Sequence, residues 1–332
     1  MSDADSSLFV KLRSNVQLLV LLYVDDMIIT GNDETEISSL RNDLALRFDM
    51  KNLGEVSCFL GLEVEKTEQG YFMTQQAYAR SLLDRFGMRE AKTKATPMEP
   101  NLKLKKEEGK MLKNPKKYRQ LVGSLIYLTI TRPEISYSVG VISQFMQEPR
   151  VPHLEAAKRI LRYIKGSLEY GLLYKKNTKF VLEGFTDADW AGDTNDRHST
   201  SGYCFNVGSA AVSWCSKKQD IVALSSTEAE YVAATMAAQE CVWLKRLIKD
   251  ILHEDEYTVE IKCDNESAIK LALNPVFHAR TKHIEVRHHF IREKVLNEEI
   301  ELTGVRTGAQ VADIFTKALV KPKFQSLRKA LE

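Results

Sequence analysis

A chain of 332 residues has room for about two domains of ordinary size, each able to bury its own core. With 44% hydrophobic and 28% charged residues it reads as a globular protein, and no apolar run approaches the ~20 residues of a membrane span. The net charge of +2 hides an asymmetry, because residues 1–179 carry 28 lysines and arginines against 22 acids, whereas residues 180–332 carry 19 against 23. A basic part beside an acidic part suits a polyanion grip next to a cation-binding site. The opening MSDADSSLFVKLR has no apolar core of the secretory kind. Five scattered cysteines without a CxxC pair point to a reducing compartment and away from zinc. The expected location is intracellular, in cytoplasm or nucleus, with no membrane partner.

In chain order, QLLVLLYVDDMIITGND places two apolar segments around Asp25 and Asp26, which predicts a hairpin with the acids at its tip. An amphipathic helix is expected over Glu34 to Phe48, two β segments in CFLGLEVEKTEQGYFMTQ, and a helix over Gln75 to Phe86. Residues 91–117 are lysine-rich and carry Pro97, Pro100 and Pro115, so they read as a linker. Tyr118 to Ile164 is helical in three pieces, and the boundary between domains falls at Tyr174–Lys179. Beyond it, FVLEGFTDADWAG, TSGYCFNVG and SAAVSWCSKK are consecutive strand candidates. A long helix from Ser226 to about Leu252, a strand in YTVEIKCDN and a short helix in NESAIKLALN follow. A basic helical stretch, a strand in IELTGVRT and a terminal helix in AQVADIFTKAL complete the series. The fold class is therefore α/β, with a mixed five-stranded sheet flanked by helices.

Four acids stand where these strands end or helices begin: Asp187, Glu228, Asp264 and Asp313. Such positions gather on one rim of a sheet, and a carboxylate cluster is costly unless cations neutralise it. Oxygen ligands without Cys or His select Mg²⁺ or Mn²⁺, and two such ions about 4 Å apart suit phosphodiester cleavage. Acids at helix starts also have a plainer reason in the helix dipole, which applies to Glu228 and Asp313. Asp189, Glu230 and Glu266 lie two positions from the chosen acids, and Asp187 and Asp189 share a strand face.

The motifs FTDADWAGDTNDRHSTSGYCF, VSWCSKKQDIVALSSTEAEYVAA, CDNESAIKLA, RTKHIEVRHHFIRE and ADIFTKAL closely resemble the RNase H domain of copia-type LTR retrotransposon Pol polyproteins. The resemblance implies an RNase H-like fold over residues 180–322. It also implies catalytic and metal-binding roles for Asp187, Glu228, Asp264 and Asp313, two Mg²⁺ or Mn²⁺ ions, and cleavage of RNA in an RNA–DNA hybrid. The loop GVRTGAQVAD lacks the histidine that related enzymes often carry before the last acid, and His283, His288 and His289 lie elsewhere. Lys217, Lys218, Lys282, His283, Arg287 and Arg292 are candidate nucleic-acid contacts.

Tyr23-Val24-Asp25-Asp26 resembles the polymerase motif of reverse transcriptases, and Phe59-Leu60-Gly61 fits the primer grip. The sequel resembles the family's palm end and thumb start (1–90), linker (91–117) and helical thumb and connection (118–176). Only 24 residues precede Asp25. The expectation is a truncated palm that does not polymerise DNA by itself and exposes apolar surface, joined to an intact RNase H. The rest of a retrotransposon polyprotein is an expected partner. Two alternatives are a non-catalytic nucleic-acid-binding remnant and a reverse transcriptase completed by another chain.

Overall fold

The computed structural model describes residues 1–13, 15–253, 257–273 and 290–331. These divide into two compact units, one of residues 1–60 with 239–257, the other of residues 61–238 with 258–332.

In the first unit, β1 (Leu8–Arg13), β2 (Val16–Tyr23) and β3 (Asp26–Gly31) form an antiparallel sheet in that order. Tyr23 pairs with Asp26, so Val24 and Asp25 make a two-residue turn, with Val24 held at φ +50°. A β-branched side chain is unfavourable there, which marks the turn as strained. The α1 helix (Glu34–Arg47) starts on Asp33, whose carboxylate accepts the N–H groups of Thr35 and Glu36 at 2.9 and 3.2 Å. No residue of α1 is buried, and Val24, Leu46, Phe48 and Leu53 are all exposed. In the sheet itself, Phe9, Leu12, Leu22 and Tyr23 are exposed. The short strand β4 (Cys58–Phe59) ends this segment.

In the second unit, β5 (Leu62–Lys66) and β6 (Gly70–Thr74) pair antiparallel, and β7 (Leu172–Lys175) returns beside β6. Between them run α2 (Gln76–Arg85), α3 (Pro115–Leu128), α4 (Ser136–Ser143) and α5 (Val151–Lys165). In α5, His153, Ala156, Ala157, Ile160, Leu161 and Ile164 are buried at helical spacing, which explains why this stretch is a helix packed on a core. A buried ion pair, Arg132 to Glu134 at 2.7 Å, ties the helices together. Arg132 also donates to the Ser167 carbonyl and hydroxyl, and the Tyr163 hydroxyl donates to Glu134.

The mixed sheet follows, with strands in the order β10-β9-β8-β11-β12. Strands β8 (Leu182–Asp189), β9 (Thr200–Val207) and β10 (Ala210–Lys218) form an antiparallel meander. Strand β11 (Val259–Cys263) lies parallel to β8, and β12 (Ile300–Gly304) parallel to β11. The helix α6 (Ser226–Leu252) starts in this unit, and α7 (Glu266–Leu273) follows β11. The described part of α8 covers residues 290–296, and α9 (Lys321–Lys329) ends the chain. This is the five-stranded α/β architecture that the sequence predicts.

Two details differ from expectation. One buried cluster includes Ala79, Leu161, Phe185, Phe315 and Leu331, so the expected boundary at Tyr174–Lys179 falls inside one compact unit. The segment expected as a terminal helix is instead a 3₁₀ turn over Val311–Phe315, and α9 begins later with Pro322 in its first turn. Gln310 caps the turn by accepting the Ala312 N–H and ties it to the Thr186 carbonyl, and the Thr316 hydroxyl ties its end to Asp187, which holds the segment as a short 3₁₀ turn.

Candidate metal centre

Asp187 stands near the end of β8, opposite Gly202 of β9, and is 2% exposed. Glu230 lies in the third turn-half of α6 and is 6% exposed, while Asp264 directly follows β11. Their carboxylates each offer an oxygen within 4.8 Å of the other two. Small residues make this approach possible, since Ala188 of β8 packs with Ala223, Ala229 and Ala233 beneath the start of α6. The alanines let helix and strand come close, and the backbone N–H of Ala188 then supports the Glu230 carboxylate.

Burial sets the electrostatics. Glu230 is pushed up to about 9, first by its desolvation and then by the charges of Asp187 and Asp264. Asp187 is pushed up to about 6 by burial, although the Lys317 ammonium opposes the shift. Glu230 Oε2 is buried and has no hydrogen-bond partner among the described residues. An orphaned acidic oxygen beside two further carboxylates, with no sulfur or imidazole ligand, fits a hard divalent cation. The residues present therefore suit Mg²⁺ or Mn²⁺.

Asp313 sits beside this trio in the 3₁₀ turn and is fully buried. Its two oxygens face ammonium groups, Lys317 at 2.5 Å from Oδ1 and Lys323 against Oδ2. Lys317 also lies 3.3 Å from Asp187 Oδ2, and the Thr316 hydroxyl donates to that same oxygen. Gln310 pins the turn to the sheet, accepting the Ala312 N–H at 3.1 Å and donating to the Thr186 carbonyl at 2.9 Å. Gly202 is needed for this contact, because a Cβ there would fall 2.7 Å from Thr316 Cγ2 and 2.8 Å from Phe315 Cβ.

Of the acids singled out from the sequence, the fold brings Asp187 and Asp264 together and sets Asp313 alongside. Glu228 is not in the cluster, and Glu230 takes that place. The Glu228 carboxylate turns back to accept the Leu224 N–H at 2.7 Å, while the Glu228 N–H donates to Ser225 Oγ at 3.1 Å. It holds the start of α6. The signal was present in the sequence, since Ser225-x-x-Glu228 has capping-box spacing and Glu230 heads the alanine stripe Ala233, Ala234, Ala237 and Ala238. Asp189 folds toward Gly192, and the exposed Glu266 pairs with Lys270 at 3.4 Å.

Among the candidate nucleic-acid contacts, Lys217 is exposed, with Asp220 3.8 Å away. Lys218 is engaged by Asp193 at 2.5 Å and Asp196 at 2.7 Å, so its charge is already matched inside the chain. Arg292 is half-buried. Lys282, His283, Arg287, His288 and His289 lie outside the described residues. In the first unit, Asp25 and Asp26 are exposed at the β2–β3 turn and belong to no cluster of three or more potential ligands among the described residues. No helix among the described residues is long and apolar enough to cross a membrane.

Comparison with known proteins gives this geometry its setting. A family model described as reverse transcriptase (RNA-dependent DNA polymerase) matches residues 1–100. The chain is 43% identical over 329 residues to the retrovirus-related Pol polyprotein from transposon TNT 1-94 of Nicotiana tabacum, covering 96% of this chain and 24% of that protein. It is 43% identical over 325 residues to the corresponding polyprotein from transposon RE1 of Arabidopsis thaliana, covering 98% and 22%. It thus spans about a quarter of the length of these curated relatives. The solved foamy viral protease–reverse transcriptase in complex with an RNA/DNA hybrid shares the fold, with a TM-score of 0.53 and 14% identity, over 87% of this chain and 36% of that one.

A reverse-transcriptase-like segment followed along the chain by a five-stranded mixed sheet, in a chain 43% identical to retrovirus-related Pol polyproteins, defines a retroelement protein. Within that class, the chain belongs to the copia-type retrotransposon Pol polyproteins.

Proposed function

We propose that this chain hydrolyses the RNA strand of RNA–DNA hybrids in a divalent-metal-dependent reaction that leaves 3′-hydroxyl and 5′-phosphate ends. One observation carries the reading: three buried or half-buried carboxylates converge within 4.8 Å, and one of their oxygens lacks any other partner among the described residues. The foamy viral neighbour, whose structure holds an RNA/DNA hybrid, supports the choice of substrate.

Asp187, Glu230 and Asp264 would hold the metal, which when bound supplies an activated water and stabilises the leaving oxygen. The chain's own residues do the rest. Thr316 fixes the rotamer of Asp187 through its hydroxyl, and Gln310 holds the turn that carries Thr316 against β8. Burial beside Asp187 and Asp264 favours the protonated form of Glu230, which would give up that proton on becoming a ligand. Exposed Lys217, on β10 of the same sheet, would supply one of the backbone contacts by which such substrates are held.

Incubation of the purified chain with a labelled hybrid and Mg²⁺ tests the proposal. RNA cleavage that stops with EDTA, with duplex DNA left whole, is the expected result. Intact RNA in the presence of folded protein would overturn it.

A further inference from the structure

The Asp313 side of the centre already contains cations of the chain's own. Lys317 stands one turn beyond Asp313, and its ammonium lies 2.5 Å from Asp313 Oδ1 and 3.3 Å from Asp187 Oδ2. It therefore bridges two of the acids in the way a metal ion would. Lys323 meets the second Asp313 oxygen and also donates to the Thr307 carbonyl at 3.2 Å.

Nor is the placement of Lys317 incidental to the local chain path. Gln310 pins the 3₁₀ turn, Thr316 ties it to Asp187, and Gly202 gives it room to approach. The side chain is 35% exposed and lines a small cavity with Pro97, Tyr137, Ile314 and Leu319. Such support lowers the entropy lost in holding a long side chain in one place.

Charge matching points the same way. With Asp187, Glu230, Asp264 and Asp313 ionised, the two lysines leave an excess of two negative charges, the charge of a single divalent ion. Without Lys317 and Lys323 the same four acids would call for two.

We infer that Lys317 acts as a built-in cation at the Asp187–Asp313 position, so that the chain takes one divalent ion, held by Asp187, Glu230 and Asp264. This rests on the metal-centre reading above and deepens it. Lys317 is here a positioning and charge-matching residue, since it acts through the two carboxylates it bridges.

Calorimetric titration of the full chain with Mn²⁺, up to millimolar concentration, tests the inference without any nucleic acid. The wild type and Lys317→Arg, which keeps the positive charge, are expected to take one ion per chain. The double variant Lys317→Met, Lys323→Met is expected to take two, with its fold checked by circular dichroism. Two ions of similar affinity in the wild type would overturn the inference and leave the metal-dependent reading standing, and this arm needs no variant to fold. One ion in the folded double variant would overturn it as well. Failure of every form to bind Mn²⁺ would remove the metal centre itself, and the inference with it.

Discussion

Replacing Glu230 by glutamine is expected to stabilise the metal-free chain at alkaline pH while destroying its hold on divalent ions. The reasoning starts from burial, which together with Asp187 and Asp264 moves this carboxyl from its ordinary 4.5 up to about 9. An unfolded chain loses the proton near 4.5, whereas the folded chain keeps it until about 9. Folding stability therefore falls as pH rises through that window, by at most about 1.4 kcal/mol per pH unit. By about pH 8 the upper bound is roughly 5 kcal/mol. Glutamine removes the ionisable group at nearly the same volume, but it brings an amide that lacks a partner, at a cost of about 1–3 kcal/mol. The net expectation is a gain of about 2 kcal/mol near pH 8 that fades toward pH 5. Urea denaturation in EDTA across this range measures it directly. A variant no more stable than wild type near pH 8 would refute the claim that Glu230 is held against its preferred charge.

Other expectations follow from neighbouring parts of the structure. Saturating Mn²⁺ should raise the melting temperature of the wild type near pH 8, by about 2.7 kcal/mol of stability at a hundred times the Kd, and should leave Glu230→Gln unmoved in the same thermal scan. Arg132→Ala leaves Glu134 charged and buried without its partner, and a loss of about 3–5 kcal/mol in chemical denaturation is expected. Gly202→Val forces a side chain into the space of Thr316 and Phe315, so Mn²⁺ affinity should fall at least tenfold by calorimetry while circular dichroism still reports a folded sheet.

Much of this architecture was legible because the second unit alternates and repeats in the ways that strands and helices demand. The meander of β8, β9 and β10, the long α6 and the parallel β11 and β12 follow from period-two runs and a helical stripe. Asp187 and Asp264 were readable because strand ends fix their place on one rim. The glutamate was harder, since Glu228 and Glu230 both stand in the first turns of one helix. In the structure Glu228 is engaged by the N-terminal hydrogen bonds of α6, while Glu230 meets Asp187 and Asp264. The apolar spacing of Val311–Phe315 is helical, but tertiary contacts from Gln310 and Thr316 hold it as a 3₁₀ turn. That Lys317 and Lys323 converge on Asp313 could not be read at all, because it depends on where that short turn docks.

The central claim is that Glu230, and not Glu228, faces the candidate metal position. Cleavage of a labelled RNA–DNA hybrid in Mg²⁺ by Glu228→Gln and Glu230→Gln, side by side with wild type, asks that question directly. The structure predicts that the Glu228 variant still cuts the RNA strand and the Glu230 variant does not. An active Glu230 variant beside an inactive, folded Glu228 variant would contradict it.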